Sequence, residues 1–176
     1  RLKRYKRVDL LLQAMSVVFR KMPEARLTVL GDGDARSELV RLSKRLNILD
    51  KVEFRGVVSE EEKVRTLQKS HLLVNTSPKE GWGLTGVEAM GCGTPVVASD
   101  SPGLRDSVVH GVTGFLVEHG DVEMLSERIL QVLDNRPLRE KLSENGLKWA
   151  QGFSWDQAAE RTLALLERVI AGSGER

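Results

Sequence analysis

Two glutamates spaced eight apart, Glu80 and Glu88, flank a glycine-bearing turn in the segment Ser77-Pro78-Lys79-Glu80-Gly81-Trp82-Gly83-Leu84-Thr85-Gly86-Val87-Glu88-Ala89-Met90. The segment reads as a strand end, a turn and the start of a helix. A helix start presents unpaired N–H groups and partial positive charge, which suits an anion. Gly81 and Gly83 permit a sharp bend and a close approach of backbone to ligand. Carboxylates beside such a site accept hydrogen bonds from paired hydroxyls, as sugars and riboses offer. Two glutamates chosen at random are more often solvated surface charges, so the surroundings must decide.

The elements around this turn alternate. Helical periodicity runs over residues 8–22, 35–46 and from Ser59 to Gln68, where Ser59 and Glu62 form a capping-box pattern. Short apolar runs at 26–30, 52–55, 71–75, 95–98 and 115–117 read as strands, with short helices at 84–90 and 104–109. Three helices, 121–134, 137–150 and 155–170, close the chain, and Gly172, Ser173 and Gly174 read as a loose tail. The pattern predicts an α/β, doubly wound Rossmann-like domain over 1–171, with a mostly parallel sheet and a tail at 172–176. Ligands of such sheets bind at the carboxyl ends of the strands, which directs attention to residues 31–34, 56–60, 76–83 and 99–103.

Composition excludes several classes. The chain has 176 residues, 40% apolar and 30% charged, with a net charge of +2. That balance gives no argument for nucleic acid as a partner. No apolar run approaches the ~18 residues of a transmembrane helix. The single cysteine, Cys92, forms no internal disulfide and fits a reducing, cytoplasmic setting. His71, His110 and His119 lack metal-like spacing, and Cys92 reads as a small packed residue. Trp149, Phe153 and Trp155 read as packing residues at a helix junction.

Taken in order, the motifs resemble the group 1 glycosyltransferases (family 4), which have the GT-B architecture of two Rossmann-like domains facing across a cleft. Glu80-Gly81-Trp82-Gly83-Leu84 with Glu88-Ala89-Met90 matches the family's E-x7-E signature, and Gly93-Thr94-Pro95-Val96-Val97-Ala98-Ser99 continues it. Arg1-Leu2 and Lys6 match its G-R-L…K segment, and Leu30-Gly31-Asp32-Gly33 its G-x-G turn. Val52-Glu53-Phe54-Arg55-Gly56, Gly111-Val112-Thr113-Gly114-Phe115-Leu116-Val117 and Phe153-Ser154-Trp155 match further family segments, with His110 where an acid is common. Each match alone is weak; their order and spacing are specific.

The resemblance implies a role for each position. Arg1, Lys6, Gly83 and Leu84 would hold the diphosphate of a nucleotide-sugar donor. Glu80, as the catalytic residue, would act with Gly81, Trp82 and Gly83 on the donor sugar. Glu88 would accept from the ribose. Gly31, Gly33 and Val58 would approach the nucleotide, with Glu60 and Lys63 near the base. A lone G-x-G is equally a tight turn. The family retains anomeric configuration and needs no bound metal or cofactor. Asp32-Gly33-Asp34 spells a metal-binding D-x-D, but it falls in the G-x-G turn and is not read as one.

The resemblance also implies that the family's first strand, usually central, and its N-terminal domain are missing from residues 1–176; residues outside them, a rearranged sheet or another chain would take that strand's place. That domain would supply the acceptor site for a sugar, a lipid-linked sugar or a polysaccharide, and peripheral contact with the inner membrane face in a longer protein. The isolated chain is then expected to bind donor weakly and transfer nothing. A non-catalytic nucleotide-binding module of the same fold is the alternative. An epimerase fits the E-x7-E spacing poorly, and a phosphorylase would need a pyridoxal phosphate lysine in a suitable setting, which the sequence does not show.

Overall fold

The computed structural model describes residues 1–173 and places five strands and eight α-helices in regular alternation over most of the chain. The strands are β1 (Leu27–Leu30), β2 (Val52–Gly56), β3 (Leu73–Asn75), β4 (Val96–Ser99) and β5 (Gly114–Val117). The helices are α1 (Val8–Lys21), α2 (Arg36–Arg45), α3 (Glu60–Lys69), α4 (Leu84–Gly91), α5 (Leu104–Ser107), α6 (Val122–Asp134), α7 (Arg136–Gln151) and α8 (Trp155–Ser173). Local chemistry sets several of the boundaries. The Ser59 hydroxyl accepts from the Glu62 amide and caps α3, Asp121 does the same for α6, and Asn135 for α7. Pro137, in the first turn of α7, gives up an N–H that has no helical partner there.

All strand pairs are parallel, in two sheets: β1 with β2, and β3-β4-β5. β1 and β3 each have one hydrogen-bonded neighbour and do not pair with one another. The parallel α/β reading therefore holds, but as two ladders rather than one continuous sheet. What joins them is apolar packing. Leu11, Leu12, Met15, Val18 and Phe19 of α1 share one core with Val29 on the first sheet and with Val97, Phe115 and Val117 on the second. Each such side chain, fully withdrawn from water, contributes about 1.5–3 kcal/mol. A second core beneath α4 gathers Leu67, Ala89, Met90, Val96, Ala98, Leu104 and Val108.

The last helix departs from expectation at its end. α8 runs through Ser173, so Gly172 and Ser173, expected in the tail, belong to the helix. One glycine at a helix terminus costs only about 1 kcal/mol, too little to end it there. Gly174 and the rest of the expected tail lie outside the described residues. Leu163, Leu166 and Ile170 of α8 are exposed. Among the described residues, no helix is long and apolar enough to cross a membrane.

Candidate functional site

The candidate site lies where the turn after β3 meets the chain's first residues. Residues 4–6 form a 3-10 turn that Arg7, in the left-handed region at φ 51°, hands over to α1. Thr76, just past β3, clamps this turn: its hydroxyl contacts the Lys6 carbonyl at 3.0 Å and the Arg7 carbonyl at 2.8 Å. The Lys6 ammonium then reaches Glu80 Oε1 at 2.5 Å. The two residues are 74 apart in sequence, and their side chains are 26% and 16% exposed. Attraction between groups so far removed from water is much stronger than between exposed ones.

The Glu80 carboxyl feels opposed influences. Burial pushes its pKa up, but Lys6, the Ser77 hydroxyl and the Asn75 amide outweigh burial and hold it below the usual carboxylate range. The Ser77 backbone is fully engaged: its N–H donates to Asn75 Oδ1 at 3.1 Å and its carbonyl accepts from the Ser101 hydroxyl at 3.0 Å. The Ser77 hydroxyl itself is buried and lacks a partner at hydrogen-bonding geometry. Its influence on Glu80 is thus that of a nearby dipole rather than a formed bond.

A prop beneath the loop fixes its course. The Glu80 amide donates to the Pro102 carbonyl at 3.2 Å. Gly103, at φ 81°, lies so close that an added Cβ would stand 2.3 Å from the Glu80 carbonyl oxygen. Gly83, at φ 78°, caps α4, and a Cβ there would meet the Ser107 hydroxyl at 2.7 Å and Leu104 at 2.8 Å. Gly81 is different: nothing lies within 4 Å of where its Cβ would be. The Trp82 ring packs edge-on to Phe153 with centroids 4.6 Å apart, and Trp149 also packs edge-on to Phe153, at 5.2 Å. The aromatic cluster at the helix junction thus also anchors the turn.

Glu88, one turn into α4, is partly exposed and accepts from Lys63 of α3 at 3.1 Å. Arg1 and Leu84 are exposed, and Val58 is half-buried beside the α3 cap. Gly31 and Gly33 both lie against the chain's first residues. A Cβ at Gly31 would be 3.7 Å from the Arg1 nitrogen, and one at Gly33 would be 2.3 Å from the Leu2 carbonyl oxygen. Asp32 accepts from the Gly33 amide, and Asp34 pairs with Lys3 at 3.0 Å, which lowers its pKa. The fold thus brings Lys6 to Glu80 and Arg1 to Gly31. It adds two residues whose types and spacing gave them no role, Thr76 as clamp and Ser77 as enclosed hydroxyl, and it pairs Lys63, expected near the base, with Glu88. Asn75-Thr76-Ser77 carried a signal for the Asx turn formed here. The Lys63–Glu88 pair had none, because it joins two different helices.

The comparisons with known proteins show the family and the fold. Residues 1–149 match the family described as Glycosyl transferases group 1, and the chain belongs to that family. Its architecture is that of a Rossmann-like GT-B C-terminal domain. The D-inositol 3-phosphate glycosyltransferase of Mycolicibacterium smegmatis is 35% identical over 176 residues, covering 97% of this chain and 39% of the relative. HepE of Anabaena, solved in complex with UDP-glucose, superposes with a TM-score of 0.86 at 27% identity, over 96% of this chain and 47% of that one. The C-terminal domain of a glycosyl transferase group 1 family protein (LpcC) from Francisella tularensis shares the fold, with a TM-score of 0.76 at 22% identity over 86% of this chain and 80% of that one. The chain therefore spans about two-fifths of the length of the curated relatives it matches.

Proposed function

We propose that this chain is the donor-binding domain of a retaining glycosyltransferase that moves a hexosyl group from a nucleoside diphosphate sugar to an acceptor. The observation that carries this reading is the Lys6–Glu80 contact at the mouth of α4. An ammonium has three donors, so Lys6 can keep Glu80 and still donate to a diphosphate. The first amides of α4, at Gly83 and Leu84, and the exposed Arg1 add donors for the same anion.

Transfer puts negative charge on the departing diphosphate and positive charge on the sugar ring. Groups already in place stabilise both without reorganising. Lys6 and the α4 N-terminus serve the leaving group. Glu80, ionised because its pKa lies below the usual range, accepts from the sugar hydroxyls and lies beside the developing cation. The open space around Gly81 and the loop to Gly83 gives the sugar its place, with Trp82 anchoring the loop from behind. Glu88 accepts from the ribose, while Val58 and the 31–33 turn border the nucleotide. With Lys6 and the helix terminus supplying positive charge, the reaction needs no protein-bound metal or cofactor.

The acceptor, a sugar, a lipid-linked sugar or a polysaccharide, is read by an N-terminal GT-B domain of the longer protein. That protein works on the cytoplasmic side, with peripheral contact at the inner membrane face. On its own the chain binds donor and does not transfer it. Calorimetric titration with UDP, GDP and ADP tests the reading: one of them binds, and Lys6→Met weakens it by about tenfold or more, as expected for lost bonds to a charged group. Absence of binding by all three, or an unchanged affinity in Lys6→Met, would refute it. A non-catalytic module would bind alike, but its longer form would release no labelled sugar to any acceptor.

A further inference from the structure

Lys63 stands on the first turn of α3 and reaches across to α4. Its ammonium lies 3.1 Å from Glu88 Oε1 and 2.6 Å from Glu60 Oε2, with the side chain 23% exposed. The two carboxylates differ in setting. Glu60 is 84% exposed, in an acidic first turn that already suits the α3 dipole, whereas Glu88 is 43% exposed on the helix that opens at the candidate site. Glu60, burial and Glu88 act on the lysine in that order of size, the carboxylates outweighing burial, and its pKa rises above the ordinary value. The lysine stays charged throughout the neutral range.

We propose that Lys63 is a positioning residue for Glu88: it holds one carboxylate oxygen so that the other meets the ribose diol, and it cancels charge that would repel the diphosphate. This rests on the donor-binding reading above. A glutamate side chain free in water samples several rotamers, and fixing it on binding costs entropy. Lys63 takes Oε1 and leaves Oε2 with its acceptor capacity. The charge argument is separate. Glu60, Glu88 and Lys63 together carry one net negative charge; without the lysine, two carboxylates would face a polyanionic ligand.

The test compares a bound nucleoside diphosphate (UDP, GDP or ADP) with its 2′,3′-dideoxy counterpart, in the unaltered chain, K63M, K63R, E88Q and K63M/E88Q. The unaltered chain prefers the diol. K63M weakens the diol ligand by about tenfold, weakens the dideoxy ligand less, and so loses most of the preference. Part of its loss is repulsion and shrinks as salt is raised. K63R keeps most of the preference, and the double variant has no less of it than E88Q alone. Lys63 would be merely a brace between α3 and α4 if K63M weakened both ligands by the same factor, or if it kept the full preference; either result overturns the proposal. A diphosphate that binds the unaltered chain without diol preference would overturn it together with the ribose role of Glu88. Failure of all three diphosphates to bind would instead refute the donor-binding reading itself.

Discussion

Two glycine turns sit at the carboxyl ends of two parallel strands, Gly31-Asp32-Gly33 after β1 and Gly81-Trp82-Gly83 after β3, and they do different work. In the first, the missing Cβ makes room for the chain itself: the Leu2 backbone would lie within 3.0 Å of a Cβ at Gly33. In the second, Gly83 packs against α5 while Gly81 borders open space beside an ion pair. The same G-x-G spelling thus covers an internal seam in one case and an open mouth in the other. The environment of the absent Cβ distinguishes them.

The largest expected effect breaks the first turn. Gly33→Ala drives a Cβ into the Leu2 carbonyl, which is backbone and cannot swing aside. Overpacking of this kind costs about 1–3 kcal/mol. Denaturant unfolding should show the midpoint falling with an unchanged slope. Full stability in Gly33→Ala would mean that the seam between Leu2 and the 31–34 turn is loose.

A smaller effect belongs to the second turn. Glu80→Gln removes the charge that Lys6 pairs with and should cost about 1 kcal/mol at neutral pH. Its pH dependence carries the sign. The folded-state pKa of Glu80 lies below its unfolded value, so its contribution is complete above the unfolded pKa, about 4.3. The contribution is lost as pH falls through the folded value. Unfolding free energy measured from pH 7 down to pH 3 should therefore fall less steeply in Glu80→Gln than in the unaltered chain. Parallel acid limbs would show that the ion pair stabilises nothing.

Much of this arrangement was legible in residue order, and the rest follows a physical divide. Helices such as α1 and α6 announce themselves through apolar periodicity, because one stripe must face the core; the 8–22 reading misses the observed end by one residue. The cap at Ser59 was legible because capping is local chemistry. The division into two ladders was not, since strand pairing is a contact between distant segments that no period encodes. Nor was the clamp by Thr76, whose partners lie 70 and 69 residues away. At the site, Glu80 and Lys6 were each singled out by motif, yet their direct contact came only with the fold. Ser77 shows the same limit, because only burial distinguishes an enclosed hydroxyl from a solvated one.

The smallest effect on stability sharpens the comparison most. Gly81 has open space on its Cβ side and is not among the glycines with positive φ. Gly81→Ala should therefore change unfolding free energy by less than about 0.5 kcal/mol, the usual range for a surface change away from special features. The added methyl projects instead into the volume assigned to the donor sugar, and Gly81→Ala should weaken a nucleotide-sugar more than the matching nucleoside diphosphate, which lacks that sugar. The contrast with Gly33→Ala is then complete: one glycine is needed to fold the chain, the other to admit a ligand. Equal weakening of both ligands would place the sugar elsewhere, and a large loss of stability would mean that the loop around Gly81 closes on itself.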